Sequence, residues 1–352
     1  MDPVVDRVED LTAPWVGEAL RASGHVLAVD AVAAEPIGTG QMGATYRLRI
    51  AYARRAGPPT LIAKLATGDP ASRALIAPGY AAEMGFYREL APRLGVRTPR
   101  CWYGAISDDH TRFTLLLDDV APATPGVQAD GCSLAQARAS LANLVGLHAP
   151  LWSDPKLHDH DFLMRPDASR SEMLGAALAH ATNGFIERYE TELDDGAAAT
   201  LRDVAAVIGA WQVAHLEPFA VIHGDYRLDN LLFTPAGNDV IAVDWQTAGI
   251  GPPLRDVAYF LGNSVTTEER RAHEESLLAD YHAALVARGV TGYDADRCWR
   301  DYRLGQLQGP MVTILGCMYA RGVRSAQSDA MFLAMARRSC AAIQDLRSLE
   351  LF

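Results

Sequence analysis

Apolar and polar positions follow two rhythms along the chain. The first third carries short runs with a spacing of two, and most of the remainder repeats every three or four residues. Residues 8–23 have helical spacing and stop at Ser23-Gly24. Residues 26–37 read as extended. Thr45-Tyr-Arg-Leu-Arg-Ile50 alternates and is rich in β-formers, and Leu61-Ile-Ala-Lys-Leu65 is a second short strand. Ala82, Phe86 and Leu90 form the apolar stripe of a helix over 79–90. Residues 99–106 and 113–117 are two further strands joined by a polar turn at 107–110. Ser133 is the N-cap of a helix that ends at His148. Helical patterns follow at 171–190, 197–214, 256–262, 267–288, 294–320 and 327–348, with no internal repeat.

The break in the helical half is the stretch Val221-Ile-His-Gly-Asp-Tyr-Arg-Leu-Asp-Asn-Leu-Leu-Phe233, followed by Val240-Ile-Ala-Val-Asp-Trp-Gln246. Polar loops here emerge between short apolar strands, a setting that holds side chains rigidly. Asp225, Asn230 and Asp244 supply a carboxylate, an amide and a carboxylate. Such oxygen-rich sets suit Mg2+, which takes few protein ligands and keeps positions for water and phosphate. Each residue alone is an ordinary loop residue; the joint spacing is what carries the reading.

Composition narrows the class. With 352 residues, 49% of them hydrophobic, the chain can bury a large core and is expected to form two lobes. A net charge of −11 and a pI near 5.4 argue against a nucleic-acid partner. Five scattered cysteines, an odd number without a C-x-x-C pair, read as reduced thiols. The acidic start has no signal-peptide core, and the apolar stretch from Gly309 to Ala320 is too short to span a bilayer. The expectation is a cytoplasmic protein without a membrane partner. Composition says nothing of oligomeric state.

The catalytic stretch resembles the catalytic loop and metal-binding strand of the protein-kinase-like superfamily. His223-Gly224-Asp225 is similar to the version in aminoglycoside phosphotransferases and choline kinases, which have Gly where protein kinases have Arg. Asp244-Trp245-Gln246 stands where protein kinases carry Asp-Phe-Gly. The wording through Gly251-Pro-Pro-Leu-Arg-Asp-Val-Ala-Tyr-Phe-Leu261 is most similar to the ecdysteroid-kinase-like branch. The resemblance spans nearly the whole chain. It implies an α+β, bilobal protein-kinase-like fold, with an antiparallel sheet and helices in the first lobe and a mostly helical second one. The expected division is a nucleotide-binding lobe over 1–117, a hinge over 118–122, and a catalytic and acceptor-binding lobe over 123–352.

The resemblance also assigns roles. Asp225 would orient and finally deprotonate an acceptor hydroxyl, and Asn230 and Asp244 would hold Mg2+. Gly38, Gly40 and Gly43 lie between two strands rather than before a helix. That favours a phosphate-covering hairpin over a dinucleotide-binding turn. Lys64 would hold the donor phosphates with Glu83 as its carboxylate partner, Glu89 being the competing choice. A Lys in an apolar strand is otherwise an edge position facing water. Backbone at Asp118, Asp119 and Val120 would bind adenine. Arg227 either contacts the γ-phosphate or pairs with Asp229, and the sequence leaves both open. His223 would support the loop backbone and Asp256 would brace it from the next helix. His148, at a helix end, reads as structural.

The implied reaction moves the γ-phosphate of ATP, or GTP, to a hydroxyl of a small molecule. The acceptor itself is not written in the sequence. Tyr259, Phe260, Trp299, Tyr302, Met311, Met318 and Tyr319 either line an apolar pocket or fill the core. The irregular stretch 153–170 is a candidate flap over an acceptor. The competing reading is a nucleotide-binding pseudokinase that acts through partners.

Overall fold

The computed structural model describes residues 2–37, 43–54, 57–319 and 324–352. Two compact units divide the chain. Unit 1 comprises Met1–Arg93, Thr98–Ala121 and Asp244–Ala248; unit 2 comprises Leu94–Arg97, Pro122–Val243 and Gly249–Phe352.

Unit 1 is built on an antiparallel sheet of β1 (Val29–Pro36), β2 (Gly43–Tyr52), β3 (Thr60–Ala66), β4 (Cys101–Ile106) and β5 (Phe113–Asp118). The spatial order is β1-β2-β3-β5-β4. Helix α1 (Ala13–Ala22) starts at Thr12, whose side chain accepts the Trp15 N–H, with Pro14 in its first turn. Its residues Trp15, Val16, Ala19 and Leu20 bury themselves against Leu48, Leu61, Ala63, Leu65 and Leu116 of the sheet. Strand alternation then turns Lys64 to the other face, where α2 (Pro70–Gly85) lies.

Helix α2 begins nine residues before the expected 79. Asp69 caps it through the Ser72 N–H, and Pro70 occupies its first position. Pro78 lies inside the helix and hides this first half from a pattern reading. The last turn widens to a π-helix over Phe86–Leu90.

Unit 2 is mostly helical. Helices α3 (Leu134–His148), α4 (Ala168–Arg188), α5 (Asp195–Val213), α6 (Leu254–Ser264), α7 (Thr267–Ala287), α8 (Ala295–Gly305), α9 (Gln308–Tyr319) and α10 (Ala326–Asp345) surround two small strand groups. One group pairs β6 (Thr124–Pro125), β8 (Leu231–Phe233) and β9 (Val240–Ala242). The other pairs β7 (Ala220–Ile222) with β10 (Gly249–Gly251). Leu178, Phe185, Leu201, Ile208, Ile314 and Ala336 fill the core between α4, α5, α9 and α10. Every residue of α6 is buried.

The single helix expected over 294–320 is two. The break at Gln306 and Leu307 has a physical cause in Pro310, which has no N–H to give to a continuing helix. Restarting at Gln308 places Pro310 in a first turn, where no such bond is needed. Ser133 caps α3 in a full capping box with Gln136. Among the described residues no helix is long and apolar enough to cross a membrane. The five cysteines are free thiols.

Helix α3 meets the segment 94–97 backbone to backbone. The Gly95 N–H donates to the Gly146 carbonyl at 2.9 Å, and a Cβ on Gly146 would stand 2.4 Å from the Gly95 oxygen. Gly146→Ala must therefore push the two segments apart. It is expected to lower stability by about 1–3 kcal/mol, read as a lower urea midpoint with unchanged slope.

Candidate active site

In unit 1, the alternation of β3 and the pitch of α2 bring Lys64 to Glu83. The Lys64 ammonium donates to Glu83 Oε1 and Oε2 at 2.6 and 2.8 Å, and to Asp244 Oδ1 at 3.0 Å. Glu83 is wholly buried, and the Lys64 side chain is 11% exposed. Burial alone would pull the ammonium down. Asp244 and Glu83 override it and hold Lys64 protonated above the ordinary lysine range.

Asp244-Trp245-Gln246 packs on α2. Trp245 stacks on Phe86 at 3.6 Å with ring planes 7° apart. Asp244 has φ 66° and ψ 65°, a left-handed conformation that costs a non-glycine residue on the order of 1–3 kcal/mol. Its side chain is 40% exposed. Strain of this kind at an accessible carboxylate marks a position where direction is set against local preference.

The remaining unit 1 expectations are less defined. Gly43 opens β2 opposite Ala66. Gly38 and Gly40 lie outside the described residues. At the expected hinge, Asp119 pairs with Arg47 at 2.7 Å and accepts the Ala121 N–H at 3.3 Å. The Asp118 N–H already donates to the Arg100 carbonyl at 2.9 Å, so that donor is taken. Val120 is half-buried beside them.

In unit 2, the loop after β7 is held by side chains from several elements. Asp256 of α6 accepts the His223 N–H at 2.6 Å and the Gly224 N–H at 2.9 Å. His223 is buried; its Nε2 meets the Val243 carbonyl at 3.0 Å, and its Nδ1 accepts the Asp225 N–H at 3.3 Å. These partners call for the Nε2–H tautomer. His148 stands behind Asp256, bonded to Tyr281 at 2.7 Å. Gln308 donates to the Gly224 carbonyl, and Gln128 accepts the Leu228 N–H, each at 2.9 Å.

Three donors meet the Asp225 carboxylate. Tyr259 Oη donates to Oδ1 at 2.8 Å, and Asn230 Nδ2 donates to Oδ2 at 3.0 Å. Arg227 Nε lies 3.2 Å from Oδ1 and 3.3 Å from Oδ2. Asn230 Nδ2 also donates to the Asp225 carbonyl, which turns its Oδ1 away as the atom able to meet a cation. The Asn230 carbonyl accepts the N–H of Val243, the residue before Asp244, at 3.0 Å. Arg227 also pairs with Asp229 at 2.7 Å. Burial would lower the guanidinium, and Asp225, Tyr259 and Asp229 hold it up instead. Asp225 and Arg227 keep 22% and 21% of their side chains exposed.

Sequence reading missed Tyr259 as a partner of Asp225. Its signal is the spacing of three from Asp256, which puts both on one face of α6. Gln128 and Gln308 carry no local signal. The stretch 153–170 is anchored rather than free. Met164 bridges to Gly249, its carbonyl accepts the Ile250 N–H at 2.8 Å, and a Cβ on Gly249 would lie 2.6 Å from that carbonyl oxygen.

This is the geometry of a protein-kinase-like α+β enzyme, with a sheet-borne lysine in one unit and a braced Asp loop in the other. Residues 34–299 match the profile described as the phosphotransferase enzyme family, and the chain belongs to that family. The family is described as one of phosphotransferase enzymes.

Among the solved structures that share the fold are a choline kinase and an aminoglycoside phosphotransferase. The choline kinase of Cryptosporidium parvum is 9% identical over 91% of this chain and 92% of its own, with a TM-score of 0.55. The GDP complex of aminoglycoside 2'-phosphotransferase-IIIa is 14% identical over 93% and 98%, with a TM-score of 0.54. Among curated proteins, human acyl-CoA dehydrogenase family member 11 is 56% identical over 41 residues. Family member 10 of Mus musculus is 45% identical over 53 residues. The matched stretches span 11% and 14% of this chain and about 5% of the length of either relative.

Removing the ammonium of Lys64 would leave Glu83 buried without its main partner. Lys64→Met is expected to cost about 3–5 kcal/mol, with much of the loss recovered in the Lys64→Met, Glu83→Gln double variant. Chemical denaturation of the three proteins measures it.

Proposed function

We propose that this protein transfers the γ-phosphoryl group of ATP, with GTP as the other candidate donor, to a hydroxyl of a small molecule, with Mg2+ as cofactor. The observation that carries the reading is the Lys64 ammonium gripped by Glu83 and Asp244. A lysine held this way is a fixed point charge suited to polyphosphate. Donor handling then falls to unit 1: Lys64 on the phosphates, Gly38, Gly40 and Gly43 covering them, and backbone at Asp119 and Val120 on the base. Acceptor activation falls to unit 2.

In the reaction, the acceptor oxygen attacks the γ-phosphorus and the bond from that phosphorus to the β,γ-bridging oxygen breaks. The diphosphate leaves with the bond's electrons. The acceptor O–H proton passes to Asp225 late in the step. Positioning and charge neutralisation supply most of the acceleration. Arg227, now paired with Asp225 and Asp229, is placed by this reading on the transferring phosphoryl group.

The donor set fits Mg2+. Asn230 offers an amide oxygen and Asp244 an accessible carboxylate, both hard oxygen ligands. When bound, the ion neutralises charge on the phosphates.

The wording of 221–261 supports placement in the ecdysteroid-kinase-like branch. We divide the chain into a nucleotide-binding lobe over 1–117, a hinge over 118–122 and an acceptor lobe over 123–352. The free thiols support a cytoplasmic setting. The short matches to acyl-CoA dehydrogenase family members add acyl-CoA compounds to the acceptors worth screening, beside aminoglycosides and choline.

Calorimetry with MgATP, then MgGTP, tests the donor half. Wild type is expected to bind with Mg2+, and Asp244→Ala is expected to lose the metal-dependent part. Binding of neither nucleotide by wild type sinks the kinase reading and leaves a scaffold acting through partners.

Asp225→Asn tests the acceptor half. It should retain nucleotide binding while turnover falls by about 100- to 10,000-fold. Normal turnover in that variant removes the role given to Asp225.

A further inference from the structure

We propose that Tyr259 is a positioning residue for phosphoryl transfer, its hydroxyl fixing the orientation of the Asp225 carboxylate. This rests on the role given to Asp225 above. Asp256 and Tyr259 lie one turn apart on α6, and from that face the helix grips three consecutive loop residues. Asp256 takes the amides of His223 and Gly224, and Tyr259 takes the side chain of Asp225.

The three donors on Asp225 differ in kind. Arg227 divides itself between Asp225 and Asp229, and Asn230 shares its amide with the Asp225 carbonyl. Tyr259 is wholly buried, and its hydroxyl donates to Oδ1 at 2.8 Å. Burial and the neighbouring carboxylate keep the phenol protonated, so it acts as a donor throughout the working range. One carboxylate oxygen is thereby pinned by a rigid helix. The carboxylate plane is set before an acceptor arrives, and rotation of the base away from the hydroxyl is opposed. During transfer the acceptor proton goes to Asp225, and Tyr259 keeps its own.

A tyrosine that merely filled the core would do so equally well as phenylalanine. Tyr259→Phe preserves the ring and deletes only the hydroxyl. The assay is steady-state MgATP hydrolysis with water as acceptor, alongside calorimetric ATP binding. The expected result is a fall in kcat of about 10- to 100-fold with KM and Kd for ATP unchanged.

Tyr302→Phe is the control. It deletes another wholly buried phenol that donates to a carboxylate, Glu274, at 2.8 Å, and it lies away from the loop. It should lose similar thermal stability and keep kcat within about twofold.

A Tyr259→Phe enzyme with wild-type kcat overturns the proposal, as does an equal fall in kcat in both phenylalanine variants. Asp225→Asn separates the two levels. If it is inactive while Tyr259→Phe is normal, only the Tyr259 role falls. If Asp225→Asn is normal, or wild type turns over neither ATP nor GTP, the underlying reading falls and takes Tyr259 with it.

Discussion

A single buried carboxylate governs the second unit. Asp256 sits in a helix with no exposed residue, where an unsatisfied negative charge would be costly. It is tolerated because two loop amides point at it, with His148 and Tyr281 behind. The same bonds oblige the chain after β7 to turn at His223 and Gly224. Gly224 takes φ 81°, which glycine adopts without penalty. Once that turn is fixed, Asp225, Arg227 and Asn230 have little freedom left, and their mutual hydrogen bonds follow. The loop is thus a consequence of how α6 solves its own desolvation problem.

The first unit obeys a simpler constraint, the two-residue period of a strand. Leu61, Ala63 and Leu65 must face α1 to make a core. Lys64 is therefore sent to the opposite face, towards α2, and burial there is admissible only with carboxylates in reach. The ion pair and the hydrophobic core of the sheet are two outcomes of one alternation. Asp244 joins the pair at the cost of a left-handed backbone, and the stacking of Trp245 on Phe86 helps hold it in place.

Much of this is legible in the sequence because it is local. The strands around Lys64, the capped α3 and the spacing of the Asp225 loop announce themselves through periodicity and turn chemistry. The Lys64–Glu83 pair can be anticipated because a strand lysine demands an acid, and α2 presents one at the edge of its apolar stripe. What escaped depends on distant partners or on breakers. Pro78 masks the first half of α2, and Pro310 splits an apparently continuous helical pattern. Tyr259 looks like core until its hydroxyl is seen to meet a residue 34 positions earlier. Gln128 and Gln308 are anonymous polar residues until the loop backbone lies against them.

The anchoring of the stretch around Met164 carries a different lesson. Its tether consists of main-chain atoms, a carbonyl of Met164 and an amide of Ile250, drawn close because residue 249 has no side chain. Such a tether is indifferent to which side chains the segment displays. The exposed side chains of Asp161 and Met164 can change without loosening it, as long as glycine persists at 249, whereas buried Leu163 and Arg165, which donates to the His158 and His160 carbonyls, are held by contacts of their own. The segment thus joins a main-chain fastening to two exposed side chains that the fastening leaves unconstrained.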